Sequence, residues 1–122
     1  MLLALALTAP PGCRNARSTP PPVFTGDHLE VSASPELIAP ALRFACGRNE
    51  MAIIDQRTSD DGTLIYELVT LRDEPGEVVA TPVAQDRWRI TATVGRFGNA
   101  DEQAALLAAL GDRIHALREA GH

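Results

Sequence analysis

The segment Trp88–Val94, with the sequence WRITATV, decides the fold. Its apolar residues, Trp88, Ile90, Ala92 and Val94, occupy every second position, and the residues between them are Arg and Thr. A period of two is typical of a β-strand with one buried and one solvated face. Antiparallel sheets commonly have faces of these two kinds, so the segment predicts a strand of an antiparallel sheet.

A helix is predicted directly after this strand. Asn99 is a favourable N-cap residue, and Glu102 stands three residues later in the capping-box position. Apolar residues then recur at helical spacing, at Leu106, Leu107, Leu110, Ile114 and Leu117. The helix therefore has one apolar stripe to bury, and a sheet is the simplest surface to receive it.

Three more strands are predicted upstream of Trp88–Val94. Met51–Thr58 and Thr63–Leu71 are separated by Asp60-Asp61-Gly62, and an Asp-Gly pair between apolar runs is typical of a hairpin. Glu74-Pro75-Gly76 predicts a turn. Glu77–Gln85 is a weaker strand, because its Pro82 is compatible only with a sheet edge or a β-bulge.

The domain begins with one strand and one helix. His28–Ala33 alternates apolar and polar residues. Ser34-Pro35 predicts a helix start, Gly47 predicts its end in the left-handed conformation, and Pro40 predicts a kinked or displaced first turn. The element order is β-α-β-β-β-β-α. The predicted fold is therefore α+β, a two-layer sandwich with two helices on one face of an antiparallel sheet of four to five strands.

The residues before this domain, which spans 28–120, differ from it in composition. Met1–Ala9 is apolar and uncharged, and Pro10-Pro11-Gly12-Cys13 follows it. Such a run is shorter than the about 20 residues that cross a bilayer, but it suits the apolar part of a secretion signal. A small residue directly before a cysteine is where lipoprotein signals are cut. Residues 1–13 are thus predicted to form a signal peptide ending in a lipobox-like segment, with lipidation at Cys13.

A different interpretation of the N-terminus remains open. No Lys or Arg precedes the apolar run, and Pro10-Pro11 stands where a Leu and a small residue are usual. Met1–Ala9 could then be a buried element and Cys13 an ordinary thiol. Residues 14–27, RNARSTPPPVFTGD, predict a Pro-rich linker, since three consecutive prolines favour polyproline II. The alternative is an ordinary disordered N-terminus.

The end of the domain resembles a known family. Residues 91–102, TATVGRFGNADE, followed by Leu106-Leu107, are similar to small uncharacterised bacterial lipoproteins with a Val-Gly-x-Phe-Gly segment between a strand and a helix. Ala41-Leu42 and Gly47 match an earlier helix and its end in that family. The resemblance covers about residues 28–120 and implies an exported location and this fold class. The family has no established activity to carry over.

Arginines supply the candidate binding residues. Arg96, in a loop before a helix, could help to hold an anion, although Asp101 and Glu102 would repel a phosphate. The alternative is a tight turn in which Gly95 and Gly98 allow unusual backbone angles and Phe97 packs.

Arg87 and Arg89, with Arg57 as a further candidate, are predicted on the solvent-exposed sheet face, where they could meet anionic lipid headgroups or acidic glycans. Cross-strand Glu67 or Glu77 could equally pair with them in a solvated mixed-charge face.

Composition and the placement of reactive residues argue against several classes of function. The 122-residue chain has a formal net charge of −5, which argues against nucleic-acid binding. No metal site, cofactor or catalytic group is predicted, because His28, His115 and His122 are scattered, and Cys46 is expected to be a small buried hydrophobe.

The sequence predicts an exported lipoprotein, anchored through its lipid at the periplasmic face of the cell envelope. Its non-catalytic binding or scaffolding domain would meet another envelope protein. The alternative is a soluble cytoplasmic regulatory α+β domain that binds a small ligand between sheet and helices. The oligomeric state and the partner stay open.

Overall fold

The computed structural model describes residues 21–24 and 27–120. The predicted signal peptide 1–13, lipidation at Cys13, most of the linker, and His122 lie outside these described residues.

The described residues form six strands and two helices, in the order β-β-α-β-β-β-β-α. The elements are β1 (Val23–Phe24), β2 (Leu29–Ser32), α1 (Pro35–Arg48), β3 (Met51–Thr58), β4 (Leu64–Thr70), β5 (Pro75–Ala84), β6 (Arg87–Val94) and α2 (Ala100–Ala120). The predicted α+β class is confirmed, with one antiparallel sheet and two helices. The sheet has six strands rather than four to five, because Val23–Phe24 also pairs with β2.

The strand order across the sheet is β1-β2-β6-β5-β4-β3, and every neighbouring pair is antiparallel. Strands β3 to β6 follow one another as a meander. Helix α1 carries the chain from β2 to β3, which lies at the far edge of the sheet. One edge is therefore the eight-residue β3, and the other is the two-residue β1.

The core lies between the helices and one face of the sheet. The buried strand residues alternate along β2, β4, β5 and β6, and they join the buried stripes of both helices in one hydrophobic cluster. Its largest fully buried members are Tyr66, Leu29, Ile38, Leu42, Leu68, Ile90, Leu106, Leu107, Leu110, Ile114, Val78 and Val94. The opposite face of the sheet stays open to solvent, as the alternation of Trp88–Val94 predicts.

The end of α1 differs from the prediction for Gly47. The helix continues to Arg48, and Asn49 follows it as the C-cap residue. The Asn49 side chain donates a hydrogen bond of 2.8 Å to the Ala45 carbonyl, and its backbone N–H donates to the Cys46 carbonyl at 3.0 Å. These bonds satisfy carbonyls that a left-handed glycine would otherwise help to pair. The left-handed residue comes later, at Glu50, with φ of 59°.

Two prolines sit inside elements, as their sequence positions suggested. Pro40 lies within α1, which is helical throughout its length, and the proline ring is exposed. Pro82 lies in β5, an interior strand, where the register shifts between Pro82 and Ala84. The prediction of an edge or a β-bulge agrees with this position, because pairing with β4 ends at Ala80, and Pro82 has only β6 beside it, next to the register shift.

Candidate binding surface

The open face of the sheet is the candidate site, and we name it the outer face. Its residues alternate along the strands with the buried ones. They include Glu30, Asp55, Arg57, Ile65, Glu67, Val69, Glu77, Val79, Thr81, Arg87, Arg89, Thr91 and Thr93. Ile65, Val69 and Val79 are half-buried, and the rest are charged or polar. The outer face therefore combines a central aliphatic group with charged surroundings.

Two of the predicted binding arginines share one carboxylate on this face. Register places Glu30 of β2 directly opposite Arg89 of β6. Arg89 donates to Glu30 Oε2 from Nη2 at 2.9 Å and from Nε at 3.2 Å, and Arg87 Nη2 lies 3.7 Å from Glu30 Oε1. The hydrogen bond from Arg89 is the main reason that the pKa of Glu30 lies below its usual value. The arginines thus pair with Glu30, and Glu67 and Glu77 are not their partners.

Glu67 pairs with Arg57, the further arginine predicted on this face, at the other side of the outer face. Arg57 Nη1 lies 3.3 Å from Glu67 and 3.7 Å from Asp55. Glu67 is also directly opposite Glu77 on β5, a like-charge pair that destabilises a sheet unless it is compensated. Arg57 supplies that compensation for Glu67.

A groove crosses one end of the outer face. It has a volume of about 460 Å³, and its lining includes Ile54, Pro75, Glu77, Thr93 and Arg96. The register of β3 shifts between Ile53 and Asp55. The resulting bulge leaves Ile54 63 % exposed at this groove. The predicted residue Arg96 lies here, whereas Arg87 and Arg89 lie farther along β6.

The loop that holds Arg96 is a tight turn with internally paired amides. The side-chain oxygen of Gln103 accepts from Val94 N at 3.1 Å and from Asn99 N at 3.0 Å. Asn99 Oδ1 accepts from Glu102 N at 3.0 Å, as the capping prediction requires. In a capping box, the side chain of the third helical residue, here Glu102, accepts a hydrogen bond from the N-cap N–H. In this helix the side chain of Gln103 accepts the bond from the Asn99 N–H instead. These amides are therefore already used, which favours the turn over an anion site.

The turn differs from its prediction in one residue. Gly95 and Gly98 have φ of 84° and 83°, as expected for a turn that needs left-handed residues. Phe97, between them, was expected to pack but is 96 % exposed. Phe97 does not belong to the hydrophobic core cluster or to the partly buried residues packed against it.

The titratable side chains do not assemble into a reactive centre in the described ranges. His28 Nδ1 is 3.0 Å from Asp27, and His28 Nε2 is 3.5 Å from Glu30. Among residues 21–24 and 27–120, no group of three His, Cys, Asp or Glu side chains could hold a metal ion. Burial raises the pKa of the Cys46 thiol to about 11, so it is protonated at neutral pH.

Comparison with protein families and with curated proteins gives no relative. No protein-family model matches the chain, and no curated protein was found to be similar to it. None of the helices in the described part is long and apolar enough to cross a membrane.

Proposed function

We propose that this protein is a bacterial envelope lipoprotein, lipidated at Cys13, with a small non-catalytic domain for binding or scaffolding. The proposed binding role rests on the uncovered outer face of the sheet. Both helices cover the other side of the sheet, and they leave an open surface on which the aliphatic Ile65, Val69 and Val79 are only half-buried.

The charges of the outer face suit selective contact. Arg89 and Glu30 neutralise each other at one side, and Arg57 and Glu67 do so at the other. A partner that covers these exposed pairs retains their mutual attraction and gains the aliphatic contact between them. Central apolar area with a polar rim is the usual anatomy of a protein interface.

The apolar stretch Met1–Ala9 and the Gly12-Cys13 junction support the location. Residues 14–20 would act as the first part of the spacer. Seven residues span at most about 25 Å even when fully extended, so the domain would stay within about that distance of the bilayer.

Metabolic labelling with a palmitate analogue tests the anchor. The wild-type protein should take the label, and Cys13→Ala should not. Cys46→Ala is the matched control, because its thiol is buried, and it should be labelled like the wild type. A mature product with an intact Met1 and no acyl group would refute the lipoprotein assignment.

Site-specific photocrosslinking in living cells tests the binding role. A photoreactive residue at the exposed Thr91, beside Val79 on the outer face, should trap an envelope protein. The same residue at Ala108, exposed on α2, is the control and should not. Equal yields at both positions would show that the outer face is no preferred contact surface.

A further inference from the structure

The long edge of the sheet has no neighbour among the described residues. Strand β3 is paired only with β4, so its outward-facing N–H and C=O groups are open along one side. Unpaired groups of this kind are a template for another strand. The opposite edge is limited to the two residues of β1. Of the two edges, only that of β3 is therefore long enough to receive a full strand.

The sequence of β3 is complementary to itself. The β-bulge at Ile54 interrupts the regular strand, and Asp55, Gln56, Arg57 and Thr58 follow it, all exposed. Asp55 and Arg57 lie on the outer face, two positions apart, with Gln56 between them pointing to the other side. An acidic and a basic residue are thus placed symmetrically about Gln56.

We propose that two copies of this chain pair through their β3 edges, antiparallel, about a twofold axis at Gln56. In this register Asp55 lies opposite Arg57 of the second copy, and Arg57 lies opposite its Asp55. A twofold axis perpendicular to the sheet keeps both outer faces on the same side, so the paired side chains meet. The interface is isologous, the commonest type in homodimers.

Charge selects this register over its neighbours. An axis at Asp55 would bring the two Asp55 side chains together, and an axis at Arg57 would bring the two arginines together. Like charges directly opposite each other destabilise a strand pair, whereas opposite charges stabilise it. Arg57 can still contact Glu67, 3.3 Å away within its own chain, because a guanidinium has five N–H donors.

The pairing is expected to be reversible and weak. A contact between two short strand edges buries less than the about 1,200 Å² typical of stable complexes. The experiment therefore uses a covalent trap. It does not depend on the lipid anchor, since the full-length chain carries Cys13→Ser in every sample.

The trap compares two introduced cysteines on β3 under mild oxidation, in a chain whose remaining Cys46 is buried. Opposite residues at the axis have Cα atoms about 4.5–5.5 Å apart, within disulfide range, so Gln56→Cys should form an intermolecular disulfide. Thr58→Cys is the matched control, equally exposed on the same strand. Its counterpart would lie four residues away, about 14 Å, beyond reach. Gln56→Cys should dimerise at least about tenfold faster, because only its sulfurs lie within bonding distance.

Charge reversal tests the register. Arg57→Asp added to Gln56→Cys should slow disulfide formation severalfold, because Asp55 then faces a second carboxylate. Asp55→Arg together with Arg57→Asp should restore the rate, because the pair is exchanged rather than lost. Unfolding followed by Trp88 fluorescence confirms that each variant is folded. Equal rates at Gln56→Cys and Thr58→Cys, or a rate that ignores both charge changes, would overturn the proposal.

Discussion

Gln103→Ala should destabilise the domain, because one side-chain oxygen closes the turn between β6 and α2. The Gln103 oxygen accepts from Val94 N and Asn99 N, and Val94 is fully buried. An unsatisfied buried N–H costs about 1–3 kcal/mol, whereas the exposed Asn99 amide can turn to water. Alanine regains less than about 0.5 kcal/mol in helix propensity. The expected loss of unfolding free energy is therefore about 2 kcal/mol.

Urea unfolding measures this loss, with the single Trp88 and the helical circular dichroism as reporters. With a slope of about 1–1.5 kcal/mol per M, the midpoint should fall by about 1.5 M at unchanged slope. Gln103→Glu is the control, because its carboxylate still accepts both bonds and lies near a helix N-terminus, where negative charge is favourable. It should stay within about 0.5 kcal/mol of the wild type. An unchanged midpoint for Gln103→Ala would refute the reasoning.

Three further predictions concern the core and the outer face. Gly111→Ala should lower Tm by about 4–8 °C in a thermal scan, because overpacking outweighs the helix propensity gain. The new Cβ would lie 3.0 Å from Leu29 Cδ1. A Tm above that of the wild type would contradict the predicted overpacking. NMR titration should place the pKa of Glu30 below its ordinary 4.5, and Arg89→Gln should raise it. Because that folded-state pKa is depressed, the pair stabilises the fold above pH 4.5, and this stabilisation is lost as pH falls through the folded pKa. Cys46, with a pKa of about 11, should resist iodoacetamide at pH 8 until urea unfolds the protein. Mass spectrometry of the peptide that contains Cys46 measures the labelling. Rapid labelling of the native protein would disprove the burial of this thiol.

Periodicity located the long elements well and could not locate the short one. Met51–Thr58 was predicted with its observed bounds, because turn residues flank it on both sides. Strand β1, Val23–Phe24, has two residues and thus no period to detect. The end of α1 was misplaced at Gly47 because glycine is the common signal, whereas the side chain of Asn49 caps the last turn instead.

The candidate site was predicted in part. Alternation placed Arg89 on the open face correctly, but its partner Glu30 lies 59 residues away along the chain. Glu67 and Glu77 looked equally suitable, since a sequence does not state which strands are neighbours. Gln103 was missed for a related reason, because Glu102 holds the position that the capping box predicts, and only the turn geometry brings Gln103 to both amides.

The sequence by itself determined the number of layers. Strands with a period of two and helices with one apolar stripe must bury those surfaces against each other, and local spacing fixes which residues do so. Only the tertiary structure decided the strand order, in which α1 crosses to the far edge and β2 joins β6. Those choices depend on how the helices pack over the whole sheet, and they decide which charges meet on the outer face and which edge stays open.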